Sequence, residues 1–142
     1  MLNHDKLFAR QAAEILQIPP MTIARWGQIF TPAIPGDGKG NRSLYSFQNL
    51  VEIQIAEKLS KFGVPLKKIQ TAILSLRTSK HVWLDENKKA VWMILDHQWR
   101  WSLGTTMEIA FLALPKREES QLFIVVNVGV IKQTIFDHYH VS

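Results

Sequence analysis

The spacing of apolar residues is helical up to about residue 76 and changes after it. In residues 8–18 the apolar side chains share one helical face, namely Phe8, Ala12, Ala13 and Leu16, with Ile15 beside it. In residues 20–30 they form a narrower stripe, namely Ile23, Trp26 and Phe30. Pro19–Pro20 ends the first helix, and because proline is tolerated in a first helical turn, it also opens the second. This pattern predicts a helix-turn-helix.

Two further helices are predicted before residue 78. Residues 47–62 place apolar side chains at intervals of four, four and three, namely Val51, Ile55, Leu59 and Phe62. Ser46 is a plausible N-cap for this helix, and Gly63 favours its end. Residues 65–77 place apolar side chains at intervals of three, four and three, namely Leu66, Ile69, Ile73 and Leu76.

Between these helix pairs lies the glycine-rich stretch GDGKGNRSLY at 36–45. Pro32 and Pro35 precede it and disfavour a helix, while alternating glycines permit positive φ at a turn. The stretch therefore predicts a hairpin, or wing, between extended pieces at 31–35 and 42–46. It does not match the phosphate loop of nucleotide-binding enzymes, because Lys39 stands between two glycines rather than directly after the last one.

Beyond a short linker at 77–80 the sequence becomes rich in aromatic and β-branched residues. We expect strands at 81–84, 90–95, 99–103, 107–114 and 121–128, separated by turn-like segments. QLFIVVNV (121–128) is almost entirely apolar and predicts a central strand. Residues 130–140 can form a closing helix. The expected fold class is therefore α+β, with a helical domain at 1–79 and a small β-rich module at 80–142.

Charge is distributed unevenly between these two parts. Residues 1–79 hold ten Lys and Arg against five Asp and Glu, whereas residues 80–142 hold seven of each. An excess of positive charge in one domain is typical of a surface that faces nucleic acid. An ordinary solvated basic surface would give the same count.

Several other classes are disfavoured by the composition. The chain has no cysteine, which excludes disulfides and thiolate metal sites. It has no apolar run long enough for a membrane span and no signal-peptide core, so a cytosolic protein is expected. No recognisable catalytic motif occurs, and His138 and His140 lack further ligands at metal-binding spacing. We therefore expect neither an enzyme nor a cofactor or metal site.

The order of helices and wing resembles the DNA-binding domain of the MerR family of transcription regulators. The matching segments are AAEILQI (12–18), TIARW (22–26), RSLYS (42–46) and GVPLKKI (63–69), so the resemblance spans about residues 7–76. It implies a winged helix-turn-helix whose helix at 20–30 lies in the major groove and whose wing lies on the DNA backbone. The implied DNA-binding residues are Arg10, Met21, Thr22, Arg25, Gln28, Lys39, Arg42 and Tyr45.

Roles follow for some of these residues. Arg25 points away from the apolar stripe, and an arginine in the major groove can bond guanine O6 and N7 together. Lys39, Arg42 and the Tyr45 hydroxyl suit phosphate contacts, which position a protein without reading sequence. Trp26 matches a family position that packs inside the domain. The chain departs from the family at Ala24 and Ser43, where arginine is common.

The resemblance does not extend to the module at 80–142, and the sequence allows several roles for it. Its tryptophans, at 83, 92, 99 and 101, suit core packing, a homodimer interface or a ligand pocket. The favoured interpretation is a homodimer that binds double-stranded DNA at an inverted repeat. The alternatives are an antitoxin whose second half binds a toxin, an excisionase-like architectural factor, and a protein-interaction module.

Overall fold

The computed structural model describes residues 6–30, 36, 43–78 and 91–141. Four helices occupy the first part: α1 (Ala9–Leu16), α2 (Pro20–Ile29), α3 (Phe47–Lys61) and α4 (Leu66–Arg77). Each lies within a residue or two of its predicted position, so the helix-turn-helix and the two helices after it are confirmed. The predicted wing lies largely outside the described residues, as does the strand expected at 81–84.

Local chemistry sets where these helices begin and end. The Ser46 hydroxyl accepts a hydrogen bond from the Asn49 N–H at 3.1 Å, and the Asn49 side chain accepts one from the Ser46 N–H at 3.0 Å. This reciprocal cap satisfies two N–H groups that have no partner inside the helix. Gly63 adopts φ +87° after α3, a left-handed conformation that favours glycine. The predicted N-cap and stop signal are both confirmed.

The second part is built on a three-stranded antiparallel sheet of β1 (Trp92–Leu95), β2 (Trp101–Gly104) and β3 (Ile124–Asn127). The strand order is β2-β1-β3, with Met93 opposite both Leu103 and Val126. Helix α5 (Met107–Ala113) and a 3-10 turn (Arg117–Glu119) separate β2 from β3, and α6 (Val128–Val141) closes the chain. The α+β class and the closing helix are confirmed.

Two predictions about this sheet are wrong. Residues 107–113 form helix α5 and not a strand, because the Thr106 hydroxyl caps the helix by accepting from the Ile109 N–H at 3.0 Å. Methionine, glutamate, alanine and leucine in this segment also favour a helix. The apolar run at 121–128 yields β3, which lies at an edge of the sheet that the described residues form, and the central strand of that sheet is β1.

A hydrogen-bonded turn joins β1 to β2. The buried Asp96 carboxylate accepts from the backbone N–H groups of Gln98 and Arg100, at 2.8 and 2.9 Å, and from the Arg100 guanidinium at 2.6 Å. Trp99 completes the turn at φ +63°, a left-handed conformation that is unusual for an aromatic residue. Burial raises the pKa of Asp96, but the hydrogen bonds from Arg100 and Gln98 outweigh it and hold the pKa below its ordinary value.

The two faces of the sheet pack on different partners. On one face Ser102 donates to the Ala110 carbonyl of α5, and Gly104 lies so close to the Ala110 backbone that no Cβ would fit. On the other face Met93, Leu95 and Val126 join the core of the helical part. Helix α6 packs on α1, α3 and β1, and the rings of Phe47 and Phe136 meet edge to face at 6.5 Å.

One apolar cluster therefore runs through residues from both sides of residue 79. The predicted division into domains at 1–79 and 80–142 stays a prediction.

Candidate nucleic-acid interface

The turn between α1 and α2 is short and closely bonded. Gln17 ends α1 in a left-handed conformation at φ 57°, and the Ile18 N–H reaches back to the Ala13 carbonyl at 3.3 Å. The Pro19 carbonyl then accepts from the Thr22 and Ile23 N–H groups, at 2.9 and 3.1 Å, which starts α2. Only three residues separate the two helices, and these hydrogen bonds set the direction in which α2 leaves the turn.

The inner face of α2 is anchored to α3. Ile23, Trp26 and Phe30 are all at most 4% exposed. The Trp26 indole N–H donates to Glu57 Oε1 at 3.0 Å, and its ring stacks on Phe30 with centroids 5.6 Å apart. Trp26 is thus a core residue, as the sequence predicted. Glu57, its partner on α3, was missed because nothing in the sequence pairs it with an indole.

The outer face of α2 points to solvent. Met21 is 85% exposed, and Ala24, Arg25 and Gln28 are also exposed, while Thr22 is half-buried. Arg25 makes no hydrogen bond or ion pair with the described residues. A guanidinium with five donors is therefore available on a helix whose inner side is fixed. Arg10 is exposed on α1.

Tyr45 has a different environment from the one that its predicted role requires. It pairs with Leu7 through two backbone hydrogen bonds, at 2.8 and 2.9 Å, and its residue is only 2% exposed. Burial raises the pKa of its hydroxyl, and a hydrogen bond with Ser43 partly offsets that effect. Its predicted phosphate contact stays a prediction, and the structure gives the side chain a packing role.

Gly27 explains where the Tyr45 ring lies. A Cβ added at Gly27 would stand 2.8 Å from the Tyr45 hydroxyl oxygen and 3.1 Å from its Cε1. The glycine thus lets the ring lie against α2 and holds the end of the wing beside that helix. Gly27 was not among the predicted site residues, although a glycine inside a helix costs stability relative to alanine and usually has a packing or functional reason.

The remaining predicted phosphate contacts, Lys39 and Arg42, lie outside the described residues. Near them, the Gly36 N–H donates to the Ser43 hydroxyl at 3.0 Å, so the two ends of the loop are held together. Ser43 is one of the two positions where the chain departs from the resemblance.

Arg77, one of the basic residues behind the positive net charge of residues 1–79, is held in an ion pair with a buried carboxylate. Arg77 on α4 forms two hydrogen bonds of 2.8 Å to Glu52 on α3, whose side chain is fully buried. The hydrogen bond to Glu52 raises the pKa of Arg77, against the opposing effect of burial. Arg77 therefore joins α3 to α4 and adds little to the charge seen by a ligand.

Comparison with known proteins identifies one part of the chain. Residues 9–76 match the model of the MerR HTH family of regulatory proteins. No curated protein matches the chain. In the described part of the chain, no helix is long and apolar enough to cross a bilayer. The matched family is one of helix-turn-helix regulatory proteins, and the match does not extend to residues 77–142.

Proposed function

We propose that this protein, whose residues 9–76 form a MerR-type helix-turn-helix, is a sequence-specific transcription regulator that binds an inverted repeat as a homodimer. The observation that carries the proposal is the outer face of α2. Met21, Arg25 and Gln28 are solvent-exposed on it, Arg25 makes no hydrogen bond or ion pair with any described residue, and the inner face of the helix is fixed to α3 through Trp26. A rigid helix with a free polar face is what base reading in a major groove requires.

The proposed roles follow from position on this surface. Arg25 reads a guanine through its guanidinium, while Met21 and Gln28 flank it on the same exposed face. Thr22 lies near the helix start, where its hydroxyl can reach a base or a phosphate. Arg10, Lys39 and Arg42 supply phosphate contacts that set the position of the protein on the duplex.

Two copies are part of the proposal because one such domain contacts few base pairs. A pair related by a two-fold axis reads two half-sites and doubles the length of the recognised sequence. The half-sites then form an inverted repeat, since the symmetry of the protein is repeated in the DNA.

The test is selection from a random duplex DNA library by the purified full chain, at low and at physiological salt. Enrichment of an inverted repeat is the expected result. Direct repeats would favour an architectural factor, and retention without enrichment would mean that only the backbone is bound. If no DNA were retained at low salt, the proposed function would be wrong.

A further inference from the structure

An apolar groove follows the outer edge of β3. β3 is an edge strand, and in the part of the chain that the structure describes no other strand pairs with that edge. A groove of about 510 Å³ follows it, lined by all five residues from Phe123 to Asn127. Because successive side chains of a strand point to opposite faces, a groove that touches five in a row runs along the edge itself. It occupies the place where a further strand would lie.

The walls of this groove are apolar. Two helix segments supply these walls beside the strand: Leu59 and Phe62 at the end of α3, and Val130 and Ile131 of α6. Phe62 is 73% exposed and Val130 is 57% exposed, which is unusual for side chains of this size. Lys58 is the one charged residue in the lining. An extended segment placed here would gain main-chain hydrogen bonds from β3 and apolar contacts from both walls.

The edge also lacks the features that normally prevent strand pairing. Exposed edges are usually interrupted by a lysine, a proline or a bulge. The segment LFIVVN (122–127) contains no charged residue, no proline and no glycine. Leu122 is 79% exposed and Val125 is 43% exposed. Such an edge recruits another strand unless something already covers it.

The apolar surface continues beyond the groove. The Phe123 ring meets Phe111 of α5 edge to face, with centroids 5.3 Å apart. Counting about 150–250 Å² for a fully exposed aromatic side chain and somewhat less for Leu and Val, we obtain roughly 500 Å² of exposed apolar area from Phe62, Phe111, Leu122, Val125 and Val130. That matches the largest, often functional patches on monomers. It is more than half of the roughly 800 Å² per partner of a standard interface.

We propose that β3 of one copy pairs antiparallel with β3 of a second copy, so that two three-stranded sheets join into one of six strands. A second copy is the occupant that fits, because each copy brings both the open edge and the apolar side chains that cover the other. Antiparallel pairing about a two-fold axis closes the assembly, since it leaves neither β3 edge free for a third copy. A small ligand would cover the walls but would leave the main-chain groups of the edge exposed.

This inference rests on the dimer of the proposed function and gives it a location. The first test is the mass of the full chain in solution by analytical ultracentrifugation over a range of concentrations. We expect twice the chain mass of 16.3 kDa for the natural sequence. The double variant Phe62→Lys/Val130→Lys should weaken association at least tenfold, because it places charges at both walls of the groove.

Leu74→Lys is the matched control. Leu74 is 49% exposed on α4 and does not line the groove, so this variant should remain dimeric. A natural chain that stays monomeric throughout would overturn the inference, as would a double variant that dimerises like the natural chain. A monomer that instead binds a fatty acid in the groove would also overturn it.

A second test does not depend on lowering the stability of the fold. The chain has no cysteine, so a single Val125→Cys substitution gives one reactive thiol at the β3 edge. A short bismaleimide should cross-link two copies of this variant and should not cross-link Leu74→Cys. Equal cross-linking of both variants, or of neither, would contradict β3 pairing.

The inference and the proposed function can fail separately. Binding of the double variant to a duplex with one half-site tests DNA recognition without the dimer. A double variant that binds the half-site but loses preference for the inverted repeat would support both proposals. Dimers that bind no DNA would refute the proposed function and leave β3 pairing intact.

Discussion

Arg25 and Trp26 are neighbours in the chain and have opposite surroundings. Trp26 is buried, stacked on Phe30 and bonded to Glu57, while Arg25 is exposed. Because one helical step separates the two side chains by about 100°, fixing one of them fixes the direction of the other. The base-reading role proposed for Arg25 therefore depends on the packing of Trp26.

Replacing Arg25 with alanine should relax specificity at one base pair. The expected loss of binding free energy is about 1–3 kcal/mol on the preferred site, with a smaller loss on a site altered at that pair. Competition binding with single-base variants of the selected sequence measures the difference. Lys116→Asn removes a positive charge from an exposed position in the second part and should leave specificity unchanged. A uniform loss across all sequences would show that Arg25 contacts only phosphate.

The position of the Tyr45 ring depends on the absence of a side chain at Gly27. An alanine inside a helix usually stabilises a protein relative to glycine, by about 0.5–1 kcal/mol. At Gly27 we expect the opposite sign, because the new methyl group would force the buried Tyr45 ring to move. Urea denaturation of Gly27→Ala checks the sign.

Tyr45→Phe removes the hydroxyl oxygen, which is the atom closest to the new methyl group. The double variant Gly27→Ala/Tyr45→Phe should therefore recover part of the unfolding free energy that Gly27→Ala loses. If Gly27→Ala lowered the unfolding free energy equally in the Tyr45 and the Tyr45→Phe proteins, the proposed contact between Gly27 and the Tyr45 hydroxyl would be wrong. The same Tyr45→Phe variant, tested on DNA, shows whether that hydroxyl also contributes to binding.

At the scale of elements, the orientation of α4 on α3 depends on a charged pair in an apolar setting. Removing one partner of a buried ion pair leaves an uncompensated charge, whereas replacing both by apolar residues is often neutral. Glu52 is the fully buried partner.

Arg77→Ala should therefore destabilise the protein by about 3 kcal/mol. The double change Glu52→Leu/Arg77→Met should cost much less, because it removes both charges and keeps the volume. Urea titration of the natural protein, Arg77→Ala and the double variant gives the three unfolding free energies to compare. If the double variant were as unstable as the single one, the loss would come from packing rather than charge.

The β1–β2 turn should make stability depend on acid. The pKa of Asp96 is lowered in the folded protein, so its contribution is fully present above the ordinary aspartate pKa of about 3.9. It is lost as the pH falls below that value and through the folded pKa. Asp96→Asn should be less stable than the natural protein at pH 7, and the gap should narrow below pH 4.

Denaturation curves at several pH values measure this gap. In the Asp96→Asn background, a further Arg100→Gln change should cost little, because the Asp96 charge is already gone and the remaining partner, Glu119, is half exposed and lies 3.5 Å away. A constant gap from pH 7 to pH 3 would contradict the role assigned to the carboxylate.

The first four helices were predictable because their signals are local. Apolar spacing, the Ser46 cap and Gly63 all act within a few residues, and each is confirmed. The strand predicted at 107–114 failed because its β-forming residues compete with a cap at Thr106 and with helix formers. Strand β3 was wrongly predicted to be central. A fully apolar run does not show whether the strand is buried between two neighbouring strands or by helices packed at the edge of the sheet.

For the candidate site, the sequence identified the side chains but not their contacts. The exposure of Arg25 and the burial of Trp26 follow from helical spacing alone. The burial of Tyr45 does not, because it depends on Leu7 and Gly27, which lie far from it in the chain. The pairing of Glu52 with Arg77 does not follow from helical spacing either, because the two residues are 25 positions apart.

At the scale of the whole molecule, one core joins the helix-turn-helix to the sheet. Helix α6 packs on α1 and α3, and Phe136 meets Phe47. The surface of α3 is therefore completed by residues at the other end of the chain.

A fragment of residues 1–79 should not fold stably, because truncation would expose the apolar surface of α3 that α6 and β1 cover. We expect the full chain to unfold in one cooperative transition, and the fragment to show a weaker transition or none, by circular dichroism on heating. A fragment that melts like the full chain would establish the division at residue 79 as a domain boundary.

The packing of α6 on α1 and α3 also bears on how such a chain can change over generations. A DNA-reading segment with its own closed core can be exchanged by recombination and joined to a new regulatory segment in one step. Here an exchange at residue 79 would separate Phe47 from Phe136 and leave both partners with an unmatched apolar surface. We therefore expect the two parts to be inherited together, and substitutions on one side of this contact to be accepted mainly with compensating changes on the other.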